Sequence, residues 1–181
     1  MSHRLFVAIR PPEAVRDALL DLMEGVREAR WQEDDQLHLT LRYIGEVDRH
    51  QANDIAEALA AIRFAPFPIT VAGTGRFERK GRAHTLFADI ERTPPLLALR
   101  QQVERACVEI GLEPEHRKFA PHITIARLNT SSGTIAPFLA RTAELQAGRF
   151  TCDAFRLYES HLRPSGSIYE PVLTFPARHE P

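Results

Sequence analysis

Two short stretches of the chain alternate strictly between polar and apolar residues. Residues 37–41 read Leu-His-Leu-Thr-Leu, and residues 121–125 read Pro-His-Ile-Thr-Ile. This alternation is typical of a half-buried strand, in which residues i and i+2 share a face. Each stretch therefore predicts a strand that turns one histidine and one threonine to the same face and its aliphatic residues to a core.

Apolar positions elsewhere predict helices and further strands. Apolar residues spaced three to four apart are typical of amphipathic helices, and they occur in four segments: 13–28, 50–62, 96–110 and 135–143. Short apolar or alternating runs predict strands at 4–10, 67–71, 86–90, 148–157 and 167–175. We expect helices packed on mostly antiparallel sheets, although the pattern does not determine the order of the strands.

The two halves of the chain resemble each other. Leu-Phe-Ala-Asp-Ile at 86–90 is similar to Leu-Phe-Val-Ala-Ile at 5–9, and each is followed by a double proline and a helical pattern. Each helical pattern then leads to one of the histidine–threonine strands. We therefore predict a single domain, 1–181, of two pseudo-symmetric lobes, with repeat units at roughly 4–47 and 85–128. The histidines and threonines would then converge on a central cleft.

A basic segment lies between the two repeats. It combines four cations with three glycines: Arg76, Arg79, Lys80, Arg82, Gly73, Gly75 and Gly81. We predict a flexible hairpin or loop here. Because runs of charge usually face solvent, we favour a solvated turn, and the alternative is a patch beside a phosphate-bearing substrate.

Composition and charge exclude several classes of protein. The chain has 181 residues, of which 44% are hydrophobic and 26% charged, as in an ordinary globular domain. Its net charge of -1 gives no overall attraction for nucleic acid, so an anion site must be local. We expect no leader, and the sequence has no membrane-spanning apolar run and no metal-finger spacing at Cys107 or Cys152. We expect a cytoplasmic monomer with two free thiols.

The paired histidines are the strongest candidates for chemistry. There is no His-x-x-x-His pair, cysteine cluster or G-x-x-x-x-G-K-[ST] motif, so we expect no metal, cofactor or ATP. Imidazole titrates near neutrality and can act as acid or base. His38 and His122 can therefore share acid–base catalysis, in an order that the residues alone leave open. The hydroxyls of Thr40 and Thr124 can donate to oxygens on which negative charge develops.

The chain resembles the 2H phosphoesterase superfamily, and within it the bacterial and archaeal RNA 2′,3′-cyclic phosphodiesterases, first described as 2′-5′ RNA ligases. The similarity covers essentially the whole chain. It lies in two His-x-Thr-x motifs at 38–41 and 122–125, which we call the tetrads, and in the opening LFVAI, the blocks HLTLRYIGEV and KFAPHITIAR, and the closing YES…GSIYEPVLTF. It implies a bilobal, internally duplicated α+β fold with two sheets, outer helices and a central cleft. It also implies metal-independent hydrolysis of RNA 2′,3′-cyclic phosphate ends to 2′-phosphomonoesters, and 2′-5′ ligation when a 5′-hydroxyl replaces water.

The same resemblance implies roles for individual residues. His38 would protonate the 3′ leaving oxygen, and His122 would accept a proton from water. Arg127 falls where the family has a phosphate-contacting arginine. On an unbroken strand its odd offset from His122 would turn it away, so a twist or bulge is needed. Because a nucleobase stacks on aromatic rings, Phe119 and Tyr43 are the candidate base-stacking residues.

Two other functions fit these residues. A 2H esterase could act on another cyclic or 2′-5′-linked nucleotide, such as 2′-5′ oligoadenylate or ADP-ribose cyclic phosphate. A non-catalytic RNA-end binding module could use the same cleft without turnover. Because binding alone does not need two groups that titrate near neutrality, we favour the enzyme.

Overall fold

The computed structural model describes residues 1–178, which form nine strands, four helices and a short 3-10 segment at Asp34–Gln36. The strands are β1 His3–Ile9, β2 Arg30–Trp31, β3 Leu39–Val47, β4 Phe67–Arg79, β5 Arg82–Ile90, β6 His122–Arg127, β7 Gln146–Cys152, β8 Ala154–Arg163 and β9 Gly166–Pro176. The helices are α1 Glu13–Leu20, α2 Arg49–Ala60, α3 Pro94–Glu109 and α4 Ala136–Thr142.

The strands form one antiparallel sheet. Its order is β7-β4-β5-β6-β3-β1-β8-β9, and β2 pairs with β6. The predicted α+β class with antiparallel strands is confirmed. The two predicted sheets are continuous with each other, because β3 and β6 meet at the centre through one residue pair, Leu39 with Ile123. We call this contact the central seam.

The strand order is symmetric about the central seam. β3, β1, β8 and β9 lie on one side, and β6, β5, β4 and β7 lie on the other in the corresponding order. β4 leaves the first half of the chain to pair with β5, and β8 leaves the second half to pair with β1. This exchange ties the halves together. The division into repeat units at 4–47 and 85–128 stays a prediction.

The aliphatic residues of both tetrads are fully buried at the central seam. Leu39, Ile123 and Ile125 are 0% exposed, Leu41 is 3% exposed, and all four belong to the main core. Burial of an aliphatic side chain contributes about 1.5–3 kcal/mol. A slip of one residue would exchange these side chains with the histidines and threonines, so burial sets the register of both strands.

The first helix is shorter than its apolar spacing predicts. α1 ends at Leu20, and the chain then turns through Gly25 and Glu28, both with positive φ. Val26 is nevertheless buried against the main core. Over 21–28 the apolar spacing therefore indicated buried positions correctly, but the helix that it predicts there is wrong. Among the helices of the described chain, none has the length and apolar content that crossing a bilayer requires.

The basic segment forms a regular hairpin, which is one of the two alternatives that the sequence predicts. β4 and β5 remain paired up to Arg79 and Arg82, so the turn consists of Lys80 and Gly81 alone. Their φ values are 52° and 74°. Two positive φ values are the signature of a type I′ turn, whose twist matches that of the flanking strands. Strand pairing therefore continues to the tip.

Candidate active site

The two tetrads lie side by side at the central seam. Because Leu39 pairs with Ile123 in antiparallel register, the neighbouring positions place His38 opposite Thr124 and Thr40 opposite His122. These four positions lie on the face opposite the core. In such a pair, Cβ atoms of opposite residues are about 5 Å apart, and diagonal neighbours are about 7–8 Å apart, with their Cβ atoms somewhat closer. The two imidazoles occupy one diagonal, and this spacing leaves room for a phosphate between them.

A cavity of about 250 Å³ opens over this array. It is lined by five of the candidate site residues: His38, Thr40, Tyr43, Thr124 and Arg127. His122 lines a neighbouring cavity of about 330 Å³. The cavity over the tetrads also has lining residues that the sequence patterns did not single out: Arg4, Phe6, Gln32, Gln36, Ser160, Leu162, Ser167 and Tyr169.

A β-bulge turns Arg127 toward the cavity. Where β6 pairs with β5, Ile125 is an extra residue between the paired positions Thr124 and Ala126. Ile125 and Ala126 are consecutive and both fully buried, which an unbroken alternation does not allow. The extra residue reverses the alternation, so Arg127 shares the face of Thr124.

An equivalent bulge lies on β3. Leu41 is the extra residue against β1, and Leu41 and Arg42 are both buried although they are consecutive. The bulge brings Tyr43 to the cavity face, where the residue is 45% exposed. Tyr43 therefore has the position in β3 that Arg127 has in β6. One strand supplies an aromatic ring, and the other supplies a cation.

The bulge on β3 also directs Arg42 into a buried ion pair. Its Nε lies 2.8 Å from Oε2 of Glu104 on α3, and its guanidinium donates to the carbonyls of Tyr43 and Glu113. Glu104 also accepts a hydrogen bond from the backbone N–H of Glu115. The strand of the first tetrad is thus tied to the loop that precedes the second.

Aromatic rings enclose His38. Phe6, Tyr158 and Tyr169 meet its ring edge-on, with centroids 4.5–6.0 Å away. Phe6 and Tyr158 also stack on each other at 5.2 Å. These contacts leave the residue 7% exposed and fix the plane of the imidazole.

The environment of His38 keeps its ring neutral. Burial lowers the pKa of His38 to about 4, and the guanidinium of Arg10 acts in the same direction. The backbone of Gln36 opposes this shift, although the contact does not reach hydrogen-bond geometry at Nδ1. At neutral pH the free protein therefore holds His38 uncharged.

His122 is held in one tautomer. Its Nδ1 lies 2.6 Å from the carbonyl oxygen of Ala120. Because a carbonyl can only accept, Nδ1 carries the hydrogen and Nε2 of the neutral ring keeps its lone pair. Burial lowers the pKa of His122 and Arg127 adds to this, whereas the Ala120 hydrogen bond and Asp89 oppose it. A neutral imidazole with a free Nε2 can accept a proton.

An aromatic pair also supports His122. Phe77 and Phe87 stack at 4.4 Å and meet its ring edge-on at 4.7 and 5.4 Å. A Cβ at Gly75, which pairs with Phe87, would lie 2.5 Å from that ring, so this packing requires glycine. Phe6 and Phe87 occupy matching positions after leucine in the two repeats. That repeated Leu-Phe pair was the signal that could have identified both.

Phe119 does not line the cavity over the tetrads. Its ring packs against the main core, and the guanidinium of Arg100 lies over it, 5.3 Å from the centroid. Phe119 thus lies outside the residues that line this cavity, and its stacking on a base stays a prediction. Tyr43 is the predicted aromatic residue that reaches the cavity.

A group of metal-ligand type lies outside the residues that line this cavity. Glu159, His161 and Glu170 have ligand atoms within 4.8 Å of one another and could hold a cation. His161 is 2.9 Å from Glu170, and Glu159 is 2.9 Å from His3. Each carboxylate thus already has a histidine partner, and we assign this group no part in the site.

Several known proteins are similar to this chain in sequence. A model of the 2′-5′ RNA ligase superfamily matches residues 11–163. A protein of Aeropyrum pernix named RNA 2′,3′-cyclic phosphodiesterase is 34% identical over 141 residues, which are 76% of this chain and 80% of that protein. A protein of Thermotoga maritima with the same name is 32% identical, over 92% of this chain and 91% of that one.

Solved structures show the same fold. A crystal structure of a Thermus thermophilus protein superposes with a TM-score of 0.82 at 27% identity, over 98% of this chain and 99% of that one. Escherichia coli LigT in complex with 3′-AMP superposes with a TM-score of 0.80 at 21% identity, over 99% of this chain and 100% of that one.

Proposed function

Because the chain belongs to the 2′-5′ RNA ligase superfamily, we propose that it is an RNA 2′,3′-cyclic phosphodiesterase that works by acid–base catalysis with two histidines. The observation that carries this proposal is the diagonal placement of the two imidazoles at the central seam, with a threonine opposite each. This placement suits a small anion bound between two proton-transfer groups. No metal or cofactor is required, because the two histidines supply both proton transfers.

In the proposed reaction, Nε2 of His122 takes a proton from a water molecule as its oxygen bonds to phosphorus. The bond from phosphorus to the 3′ oxygen breaks, and His38 gives that oxygen a proton. A 2′-phosphomonoester and a 3′-hydroxyl result. The diagonal separates base and acid across the phosphorus, as in-line displacement needs. Thr40, Thr124 and Arg127 donate to the non-bridging oxygens.

The two environments favour this division of roles. The Ala120 carbonyl keeps Nε2 of His122 free to accept a proton. His38, with a pKa of about 4, is uncharged in the free protein. A phosphate anion beside it raises the pKa, because an opposite charge stabilises the imidazolium. Substrate binding would therefore load His38 with the proton that it later donates.

This mechanism gives an expected pH dependence for kcat/KM, which reports the free enzyme. Protonated His38 becomes tenfold scarcer for each pH unit above its pKa of about 4. Burial also lowers the pKa of His122 from its ordinary value, so deprotonation of His122 adds no compensating rise at neutral pH and above. We expect log kcat/KM to fall with a slope of about -1 between roughly pH 6.5 and 8, measured on a 2′,3′-cyclic nucleotide.

In the substrate complex, the bound anion raises the pKa of His38, so kcat should begin to fall at a higher pH than kcat/KM. A kcat/KM that rises or stays level through pH 7 would contradict the assignment of His38 as the acid.

The reaction itself can be tested with a cyclic-phosphate-ended RNA incubated in EDTA, with phosphorus NMR to locate the product phosphate. The proposal expects a 2′-phosphate, formed at full rate in the chelator. A 3′-phosphate would reverse the assignment of the leaving oxygen. The non-catalytic binding module would be the remaining function if none of four substrates is turned over: RNA, 2′,3′-cyclic nucleotides, 2′-5′ oligoadenylate and ADP-ribose cyclic phosphate.

The same ring opening can use a 5′-hydroxyl in place of water. His122 would then deprotonate the 5′-hydroxyl of a second RNA as its oxygen bonds to phosphorus. The bond from phosphorus to the 3′ oxygen would break, His38 would protonate that oxygen, and a 2′-5′ phosphodiester with a 3′-hydroxyl would result. A 5′-hydroxyl RNA added to the same reaction tests this, because the product is longer by the length of the second strand.

A further inference from the structure

We propose that Glu159, His161 and Glu170 bind a divalent transition-metal ion, which cross-links strands β8 and β9 on the face of the sheet opposite the active site. The ligand atoms of these three residues lie within 4.8 Å of one another, and we call the three residues the cation site. The inference does not depend on the proposed function, because the ion takes no part in the ring opening.

Strand register brings the three side chains to one face of the sheet. Glu159 and His161 are two residues apart on β8, and Glu170 on β9 is paired directly with Glu159. Residues two apart on a strand share a face, and so do residues paired directly across an antiparallel ladder. Two hydrogen-bonded strands therefore hold the ligands of the cation site at fixed positions.

The cation site faces away from the tetrads. Tyr158 precedes Glu159 on β8 and meets the ring of His38 edge-on, so Glu159 points to the other face. On β1, Leu5 pairs with Glu159 and is buried in the main core. An ion bound here lies behind the strand that encloses His38 and outside the cavity over the tetrads. Full activity in EDTA therefore remains the expected result.

The two carboxylates of the cation site repel each other. Glu159 and Glu170 are directly opposite, and like charges in this arrangement destabilise a sheet. Their ion-pair partners are histidines, with His3 2.9 Å from Glu159 and His161 2.9 Å from Glu170. Within residues 1–178, no lysine or arginine forms an ion pair with either carboxylate. Because histidine is charged only when it is protonated, a divalent cation would offset this repulsion more completely.

The spacing of the ligands suits a first-row transition metal. Zinc binds histidine nitrogen and carboxylate oxygen at about 2.0–2.2 Å, so neighbouring ligand atoms of a tetrahedral site are about 3.4 Å apart. Nε2 of His161 already lies 2.9 Å from Oε2 of Glu170. The side chains of these two residues are 42% and 63% exposed, so they have room to rotate. Small rotations therefore suffice to place an ion between the three residues.

The kinds of ligand select the kind of ion. Imidazole suits zinc and its neighbours in the first row, whereas magnesium and calcium prefer oxygen ligands alone. Nδ1 of His3 lies 2.9 Å from Oε1 of Glu159 and orients this carboxylate from outside the ligand set. A cavity of about 250 Å³, lined in part by Glu159 and His161, gives the ion a path from solvent.

The test compares two variants that each lose one imidazole and one carboxylate. The ligand variant is His161→Gln/Glu170→Gln, and the matched control is His116→Gln/Glu109→Gln, at exposed positions outside the cation site. Isothermal titration calorimetry measures Zn²⁺ binding by each metal-free protein. We expect the unmodified protein and the control to bind one ion with the same Kd. The ligand variant should bind it about a hundredfold more weakly or less, since loss of a residue that merely orients a ligand already costs 10- to 100-fold.

Thermal unfolding tests whether the ion stabilises the folded chain. Each protein is unfolded in EDTA and again in Zn²⁺ at about a hundred times the Kd of the unmodified protein. An ion that binds only the folded state should raise Tm by about 5–10 °C for a domain of this size. We expect this rise in the unmodified protein and in the control, and little rise in the ligand variant. Because each protein is compared with itself, stability lost through the substitutions does not enter the shift.

The outcomes separate the cation site from adventitious zinc binding. Absence of Zn²⁺ binding by the unmodified protein overturns the cation site, and so does binding or a rise in Tm that the ligand variant retains. Equal stabilisation by Mg²⁺ also overturns it, because the imidazole would then not be a ligand. None of these measurements needs turnover, so failure of the cation site leaves the proposed function standing, and failure of the proposed function leaves the cation site standing.

Discussion

Replacing His122 by alanine is expected to lower kcat on a cyclic phosphate by roughly 10²- to 10⁴-fold, and replacing His38 is expected to lower it as far. Each change removes a proton transfer for which the cavity offers no substitute at the same position. Because both transfers belong to one ring-opening step, the double variant should be little worse than the poorer single variant. Steady-state kinetics on 2′,3′-cyclic AMP and on cyclic-ended RNA measures these losses.

A substrate with sulfur in place of the 3′ oxygen separates the two roles. A thiol has a pKa near 8.5 and leaves as a thiolate without help from an acid. The loss caused by His38→Ala should therefore shrink to less than about tenfold on this substrate, whereas the loss caused by His122→Ala should persist. If the rate loss shrinks for His122→Ala instead, His122 is the acid and His38 is the base.

His50→Ala is the matched control for these variants, because His50 is an exposed histidine on α2, away from the central seam. It should keep kcat within about twofold of the unmodified protein, as surface substitutions usually do. A large loss in this variant would show that the assay responds to something other than the paired histidines.

The faces of the two tetrads could be predicted from sequence because one physical rule decides them. Leu39 and Ile123 are completely buried at the central seam, and a strand that buries one face must present the residues on either side to the other. The four polar residues of the site follow from that rule alone.

The positions of Arg127 and Tyr43 could not be derived in this way, because β-bulges interrupt the alternation. On β6 the consecutive apolar residues Ile125 and Ala126 are a visible hint of the bulge. On β3 the second buried residue of the bulge is Arg42, whose charge hides it in any hydrophobic pattern. Its partner Glu104 belongs to a distant helix, so the ion pair that makes its burial tolerable appears only in the structure.

The structure also shows where local cues mislead. Phe119 is an aromatic residue shortly before His122 in the chain, which made it a candidate for stacking, yet its ring packs against the core and Arg100 and does not line the cavity over the tetrads. The glycines near the basic hairpin suggested flexibility. In the folded chain, Gly75 makes space for Phe87, and Gly81 supplies the positive φ of a tight turn. In this segment the glycines allow a ring to approach the backbone closely and the chain to turn tightly, and both features depend on contacts between strands.

The ion pair between Arg42 and Glu104 leads to the second large expected effect, on stability. Their side chains are 7% and 11% exposed, so water cannot take the place of the lost charge when Glu104 is neutralised, and the charge of Arg42 stays buried without its partner. Breaking a buried pair in this way costs about 3–5 kcal/mol. We expect Glu104→Gln to lower the free energy of unfolding by about 3 kcal/mol, measured by urea denaturation at pH 7. Glu109→Gln, at the exposed end of the same helix, should change it by less than about 0.5 kcal/mol.

A double variant distinguishes loss of the pair from loss of packing. Arg42→Met/Glu104→Leu removes both charges of this pair and keeps apolar volume on both sides. Arg100, whose guanidinium lies 3.9 Å from Glu104, loses that partner in both variants. The double variant should therefore be less destabilised than Glu104→Gln, because only the single variant leaves the buried guanidinium of Arg42 without its counter-ion. If the single variant stays within about 0.5 kcal/mol of the unmodified protein, the ion pair does not hold the two tetrads together. If it loses the expected stability, kcat measured while the variant is still folded should also fall, because Arg42 and Glu104 join the first tetrad strand to the loop that leads into the second.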